Sequence, residues 1–290
     1  DSWRYKEVSW NSPARIQIYY FKSLIPLAGG LLIIQGISEW LPLSSEGLVA
    51  ATGIVLFDNN PSESFSSSLF LHLGTGIAAL LYFRNDIQHI VSSFIKSPKD
   101  ISYDSRFLLT TTAVSGAFGL PLLLIIENLA TTTSFKNTSG YSMLAIGILM
   151  ILTGCLLKYR RQIPDTHSKK APAKEGILAG IAQGLSVIPG ISRSGMTISV
   201  MIARGFNQSD ALKLSFIMCI PVSIAAGFYA IAFQNINLDI NSLIALGMSF
   251  LSSLLLIKVL LLIAGKINFW IFPICIGLTI IFSSLGEIVM

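Results

Sequence analysis

The sequence predicts an all-α integral membrane protein with about six transmembrane helices and two re-entrant helical hairpins, arranged as an inverted-topology repeat. Three observations carry that expectation. Several apolar runs are long enough to cross a bilayer, two other apolar regions are broken by polar motifs, and one half of the chain recurs in the other.

Of the 290 residues, 52% are apolar and only 12% are charged, and the mean hydropathy is +0.69. A soluble domain carries about 25% charged residues. Residues 67–83, 107–127, 140–157, 211–233, 242–264 and 268–285 read as spans, each close to the ~20 residues that cross a bilayer. No polar stretch is long enough for a second core. The chain therefore reads as an interfacial segment, 1–22, followed by a single polytopic membrane domain, 23–290. The formal charge of +5 resides in short loops, which fits the positive-inside rule and gives no reason to expect a nucleic-acid partner. Cys155, Cys219 and Cys275 lie inside apolar runs and read as packing residues. Membrane lipids are the expected surroundings, and the cell membrane the expected location.

Two apolar regions are interrupted. Residues 23–38 are followed by a polar, proline-containing stretch and then by apolar residues 48–57. Residues 176–188 stop at Pro189–Gly195 and resume at 196–203. Each piece is too short to span, and broken helices at membrane depth occur where protein or a cavity surrounds them. The regions also match each other. Gln35-Gly36-Ile37-Ser38 recurs as Gln183-Gly184-Leu185-Ser186, and Ser44-Ser45-Glu46-Gly47 aligns with Ser192-Arg193-Ser194-Gly195. Repeat units of about 23–158 and 175–290 follow. Arg84, Lys96, Lys99 and Arg106 mark one loop as cytoplasmic, and Lys158 through Lys174 mark another, whereas 128–139 holds only Lys136. The two copies then run in opposite directions, as in transporters whose sites form where broken helices meet. Parity puts the N-terminal segment outside although it carries Arg4, Lys6, Arg15 and Lys22.

A charge in an apolar segment costs ~2.5–3.5 kcal/mol on insertion scales and marks a functional site. Glu39, Glu46 and Arg193 are the charges at the breaks. Gln35 and Glu39 are four residues apart and share a face if 31–41 is helical. A carboxylate there suits a general base or a bound cation. Ser44 reads as a helix cap and Ser45 as a cap or a reactive hydroxyl. The second break places Gly190, Ser192, Arg193, Ser194 and Thr197 before a helix start. That combination of backbone access, hydroxyls and a cationic fork is an anion site, with phosphate its simplest occupant. Glu127 and Lys258 read as interfacial side chains.

The run Pro189-Gly-Ile-Ser-Arg-Ser-Gly-Met-Thr197 resembles the PGxSRSxxT signature of the undecaprenyl-diphosphate phosphatases, the bacitracin-resistance family. Glu39 and Leu41-Pro-Leu-Ser-Ser45 resemble its glutamate-rich first motif, and similarity extends to 71–79, 214–221 and 257–273. The resemblance implies hydrolysis of a polyprenyl diphosphate lipid carrier to the monophosphate outside the membrane. It carries over Glu39, Ser45, Ser192, Arg193, Ser194 and Thr197. Catalysis is expected from Glu39, Ser45 and Arg193, and substrate binding from Gln35, Ser44, Gly190, Ser192, Ser194 and Thr197. A divalent cation, Mg²⁺ or Ca²⁺, is the one cofactor to expect, at Glu39. Two positions depart from the family pattern. Gln35 replaces the first glutamate of its ExxxE pair, and Leu48 stands where histidine is common. Glu46 and His72 are the candidate compensating residues. The competing readings are a transporter or flippase of a lipid phosphate or other anion, and an inactive family member.

Overall fold

A chain in hydrocarbon must satisfy its backbone hydrogen bonds within itself, and each long apolar run here does so as a helix. The computed structural model describes residues 35–57, 61–96, 102–132, 139–159, 172–234, 236, 238–263 and 268–289. The interfacial segment 1–22 and most of the first broken arm, 23–34, lie outside the described residues. Among the described residues the helices are α1 (Ser45–Phe57), α2 (Pro61–Tyr82), α3 (Arg84–Lys96), α4 (Tyr103–Thr132) and α5 (Ser139–Tyr159). They continue as α6 (Pro172–Leu185), α7 (Arg193–Ala203), α8 (Gln208–Phe233), α9 (Ile240–Ile263) and α10 (Ile271–Val289).

Five of these helices contain an apolar stretch long enough to cross a membrane: Phe65–Tyr82, Tyr103–Asn128, Gly140–Tyr159, Gln208–Phe233 and Ile240–Ile263. The sixth expected span is α10, whose apolar part, Ile271–Leu285, is shorter. Leu255 is 68% exposed and Phe282 72%, values that fit a surface bathed in lipid rather than water. The protein is a multi-pass, all-helical membrane protein.

The broken regions are shorter. α6 and α7 have 14 and 11 residues, so each is about 15–20 Å long at 1.5 Å per residue, against a hydrocarbon core of about 30 Å. Each post-break helix begins earlier than hydropathy suggests, α1 at Ser45 and α7 at Arg193, because a capping serine rather than the first apolar residue sets the start. Gly190 makes the turn with φ +101°, a conformation that L side chains rarely adopt. At the far end of this hairpin Arg204 donates Nε and Nη2 to the two oxygens of buried Glu175, both at 2.7 Å, tying the start of α6 to the end of α7.

α3 was not expected, since its polar residues read as loop. Ile87 and Ile90 pack on the main core while Val91, Phe94 and Ile95 face outward, an i, i+3, i+4 stripe. Ser93 Oγ lies 2.8 Å from Ser105 Oγ, and Lys213 Nζ donates to Asp86 at 2.7 Å, which fastens α3 to α4 and α8. Glu127 is likewise held within the bundle, accepting from Tyr229 Oη and Gln234 Nε2, both at 2.6 Å. The three cysteines are free.

Gly36 and Gly184 each lie where a neighbouring span passes closely. A Cβ at Gly36 would fall against Ser249 and Ser252 of α9, and one at Gly184 against Ser115 and Phe118 of α4. The contact of α5 with α10 is reciprocal. A Cβ at Gly147 would lie 2.8 Å from the Gly277 carbonyl oxygen, and one at Gly277 2.7 Å from that of Gly147. Such close approach of helices through small residues is how membrane bundles pack without a hydrophobic drive between them.

Gly147→Val should therefore cost about 1–3 kcal/mol by overpacking. Gly247→Ala, with nothing within 4 Å of the added carbon, should be neutral or slightly stabilising. Thermal unfolding of both variants in detergent checks this. Equal midpoints would contradict the packing described.

Candidate active site

Two serines set the geometry of the site by ending the two breaks. Ser44 Oγ accepts from Gly47 N at 3.1 Å, and Ser192 Oγ accepts from Gly195 N at 3.1 Å. The first helical bonds also match, Leu48 N to Ser44 O and Met196 N to Ser192 O, both 2.9 Å. Each serine satisfies an N–H that the helix start leaves unpaired. Ser44 Oγ additionally accepts from Gly190 N at 2.8 Å, and Ser194 Oγ donates to Leu41 O at 2.7 Å. The breaks are thus stitched to each other, and the N-termini of α1 and α7 converge.

Glu39 occupies the middle of this junction. Its Oε1 accepts from Arg193 Nη2 at 2.6 Å, and its Oε2 accepts from Ser45 Oγ at 2.7 Å. Gln35 Nε2 reaches the same Oε2 at 3.4 Å. The helical turn ends at residue 38, earlier than expected, yet Glu39 N still bonds Gln35 O at 3.1 Å, which keeps the two side chains on one face. Arg193 is spread over three acceptors, adding Glu39 O at 3.3 Å and Ser215 O at 3.2 Å. Its guanidinium also lies 5.9 Å from the centroid of the fully buried Trp40 ring, within cation–π range. An ion pair so enclosed is retained only with its hydrogen bonds complete.

His72 enters from α2. Its Nε2 is 3.1 Å from Glu39 Oε2 and 3.1 Å from Glu46 Oε1, and its Nδ1 is 2.7 Å from Ser68 O. Ser45 Oγ also approaches Glu46 Oε2 at 3.3 Å. Both candidate compensating residues therefore stand beside Glu39. Leu48 is half-buried against a separate apolar cluster.

A cavity of about 330 Å³ adjoins this cluster. Glu46, His72, Arg193 and Gln183 line its polar part, while Leu69, Leu120, Leu123, Val187 and Val222 line the remainder. It follows α2 from His72 past Leu69 to Phe65, a length of about 10 Å at the helical rise. The hydroxyls expected to bind substrate also make structural bonds. Ser44 and Ser192 cap helices, Ser194 holds Leu41, and Thr197 Oγ1 bonds Arg193 O at 2.9 Å and Ser215 Oγ at 2.7 Å. They hold the loop that carries Arg193, and the cavity is lined instead by Arg193, Glu46 and His72. The divalent cation expected at Glu39 does not fit the residues as they stand, because Oε1 faces Arg193 and Oε2 faces His72 and Ser45. Among the described residues no three His, Cys, Asp or Glu side chains form a metal site.

Ser215, Ser68 and Gln183 were not foreseen as site neighbours. Ser68 and Ser215 are small polar residues in apolar spans and carry no local signal. Gln183 was visible only as the repeat partner of Gln35.

Ser44→Ala removes the acceptor of two backbone N–H groups and should cost about 1–3 kcal/mol. Ser192→Ala orphans one such group and should cost less. Denaturation of the two variants side by side measures the difference, and an equal or smaller loss for Ser44→Ala would contradict the stitching role.

Residues 29–281 match the family described as bacitracin resistance protein BacA. The chain is 38% identical over 258 residues to a protein named undecaprenyl-diphosphatase from Methanococcoides burtonii, covering 86% of this chain and 93% of the relative. A protein of the same name from Haloarcula marismortui is 30% identical over 278 residues, 91% of this chain and 96% of its own length. A third, from Sulfurisphaera tokodaii, is 34% identical over 255 residues, covering 84% and 91%. With the match running through both breaks and the helices around them, the chain belongs to the bacitracin resistance protein BacA family.

Proposed function

We propose that the protein is a polyprenyl-diphosphate phosphatase of the plasma membrane. It hydrolyses the phosphoric anhydride of an undecaprenyl- or dolichyl-type lipid carrier, giving the monophosphate and inorganic phosphate. The observation that carries this reading is the position of Arg193, at a cavity that is charged near the breaks and apolar along α2. A diphosphate headgroup suits the first part and the start of a prenyl chain the second. The convergent N-termini of α1 and α7 add positive potential where the phosphates would lie. The names carried by the relatives point to the same substrate.

Phosphoryl transfer asks mainly for positioning and charge stabilisation. Arg193 supplies a planar fork for phosphate oxygens, replacing part of its contact with Glu39 when substrate enters. Ser45 is the nucleophile and Glu39, 2.7 Å from its hydroxyl, is the base. Ser192, Ser194 and Thr197 keep the Arg193 loop in place through the bonds described above. Gln35 orients the carboxylate of Glu39.

Release of phosphate from a polyprenyl diphosphate by the purified protein in detergent is the direct test. Arg193→Lys keeps the charge and loses the fork, so turnover should fall by about 10²-fold while the protein stays folded. Ser45→Ala should fall at least as far, and near-normal turnover would exclude a seryl-phosphate intermediate. Wild-type rates in folded Arg193→Ala and Glu39→Gln variants would overturn the assignment.

A further inference from the structure

His72 lies in a span, outside both broken motifs, yet its Nε2 lies within hydrogen-bond distance of both carboxylates of the site, which Ser45 Oγ also approaches. Its Nδ1 is 2.7 Å from a carbonyl oxygen, which only accepts, so Nδ1 carries a proton. Its Nε2 is 3.1 Å from Glu39 Oε2 and 3.1 Å from Glu46 Oε1, which as carboxylates only accept, so beside two ionised carboxylates Nε2 carries one too. With both carboxylates ionised, the geometry makes the ring an imidazolium whose Nε2 proton is shared between them. Glu39 is buried against Ser45, whereas Glu46 and His72 line the cavity. The chain from Ser45 through Glu39 and His72 to Glu46 is a continuous hydrogen-bonded path from the buried hydroxyl to the substrate space.

We propose that His72 is the acid–base centre of this site, with Glu46 as its partner at the cavity. The inference rests on the diphosphatase reading and assigns the proton steps within it. In the first half-reaction Ser45 Oγ bonds to the terminal phosphorus and gives its proton to Glu39. The bond from that phosphorus to the bridging oxygen breaks, and the departing lipid monophosphate takes the Nε2 proton of His72. In the second half-reaction water adds to the seryl phosphate and gives a proton to the now neutral Nε2. Ser45 leaves with the proton held by Glu39, and inorganic phosphate departs. Every group returns to its starting state, and one water is consumed for each anhydride cleaved.

Glu46 has two tasks in this scheme. It balances the imidazolium, leaving the Glu39, Glu46, Arg193 and His72 quartet neutral overall. It also holds Nε2 toward the cavity while Glu39 is protonated and its own attraction for the ring is lost. A second carboxylate beside Glu39 would ordinarily repel it, and the shared proton between them removes that repulsion.

The test measures phosphate release from a polyprenyl diphosphate with His72→Gln, His72→Ala and Glu46→Gln variants, the alanine variant with and without added imidazole. His72→Gln should lower kcat by about 10²–10⁴-fold with little change in KM. Imidazole should restore part of the His72→Ala loss in proportion to its concentration, whereas an equal concentration of ammonium should not. Glu46→Gln should lower kcat by at least about 10-fold, less than the 10²–10⁴-fold of a general acid–base group, because Glu46 positions the ring and does not itself exchange the proton. A His72→Gln enzyme within about 3-fold of the parent, or a His72→Ala loss that imidazole leaves untouched, would overturn the proposal. No phosphate release by the unmodified protein would instead overturn the diphosphatase reading, and this inference with it.

Discussion

A carboxylate from the first break and a guanidinium from the second meet at 2.6 Å inside an apolar bundle, and neither would be tolerated there alone. An unpaired charge in a membrane interior costs several kcal/mol, so the Glu39–Arg193 pair forces the two breaks to face each other. The other links follow from that meeting. Once the breaks are in register, Ser44 can accept from Gly190 N and Ser194 can reach Leu41 O. Those bonds, in turn, satisfy backbone groups that a broken helix would otherwise leave unpaired in a dry environment. The glycines of the surrounding helices let the scaffold close tightly around the junction.

Much of this was legible in the amino-acid sequence, because its signals were local. Long apolar runs predict the spans by length alone, and the matched Gln-Gly-Ile-Ser and Gln-Gly-Leu-Ser stretches predict the breaks. Ser44 was readable as a cap because it precedes an apolar helix. The misreadings arose where a long-range contact decides the outcome. α3 is anchored by Ser93–Ser105 and Asp86–Lys213, partners that hydropathy does not reveal. The hydroxyls of Ser192, Ser194 and Thr197 look like phosphate ligands in a one-dimensional motif, and in three dimensions they also bond Gly195 N, Leu41 O and Ser215 Oγ, contacts that the motif does not reveal. His72 is the clearest case. A single histidine in an apolar run is ordinarily a packed residue, and only its convergence with Glu39 and Glu46, 33 and 26 positions away in the chain, gives it a different meaning.

Gln35 and Leu48 read at first as losses, since they remove a carboxylate and an imidazole expected from the family pattern. Beside Glu39 the geometry places other groups of the same kind. Glu46 brings a carboxylate from the helix after the break, and His72 an imidazole from the adjacent span. Charge sharing among a cluster depends on distance and enclosure rather than on chain position, so one set of groups can be assembled from more than one set of positions.

The junction depends on Glu39 and Arg193 sustaining each other across the two breaks, and a double-mutant cycle on stability measures that dependence directly. Glu39→Gln, Arg193→Met and the double variant are compared with the parent by denaturation in detergent. Each single variant leaves a buried charge unpaired and should lose about 3–5 kcal/mol. The double variant removes both charges and should be more stable than either single one. Additive losses, with the double variant the least stable of all, would contradict the claim that this pair organises the site.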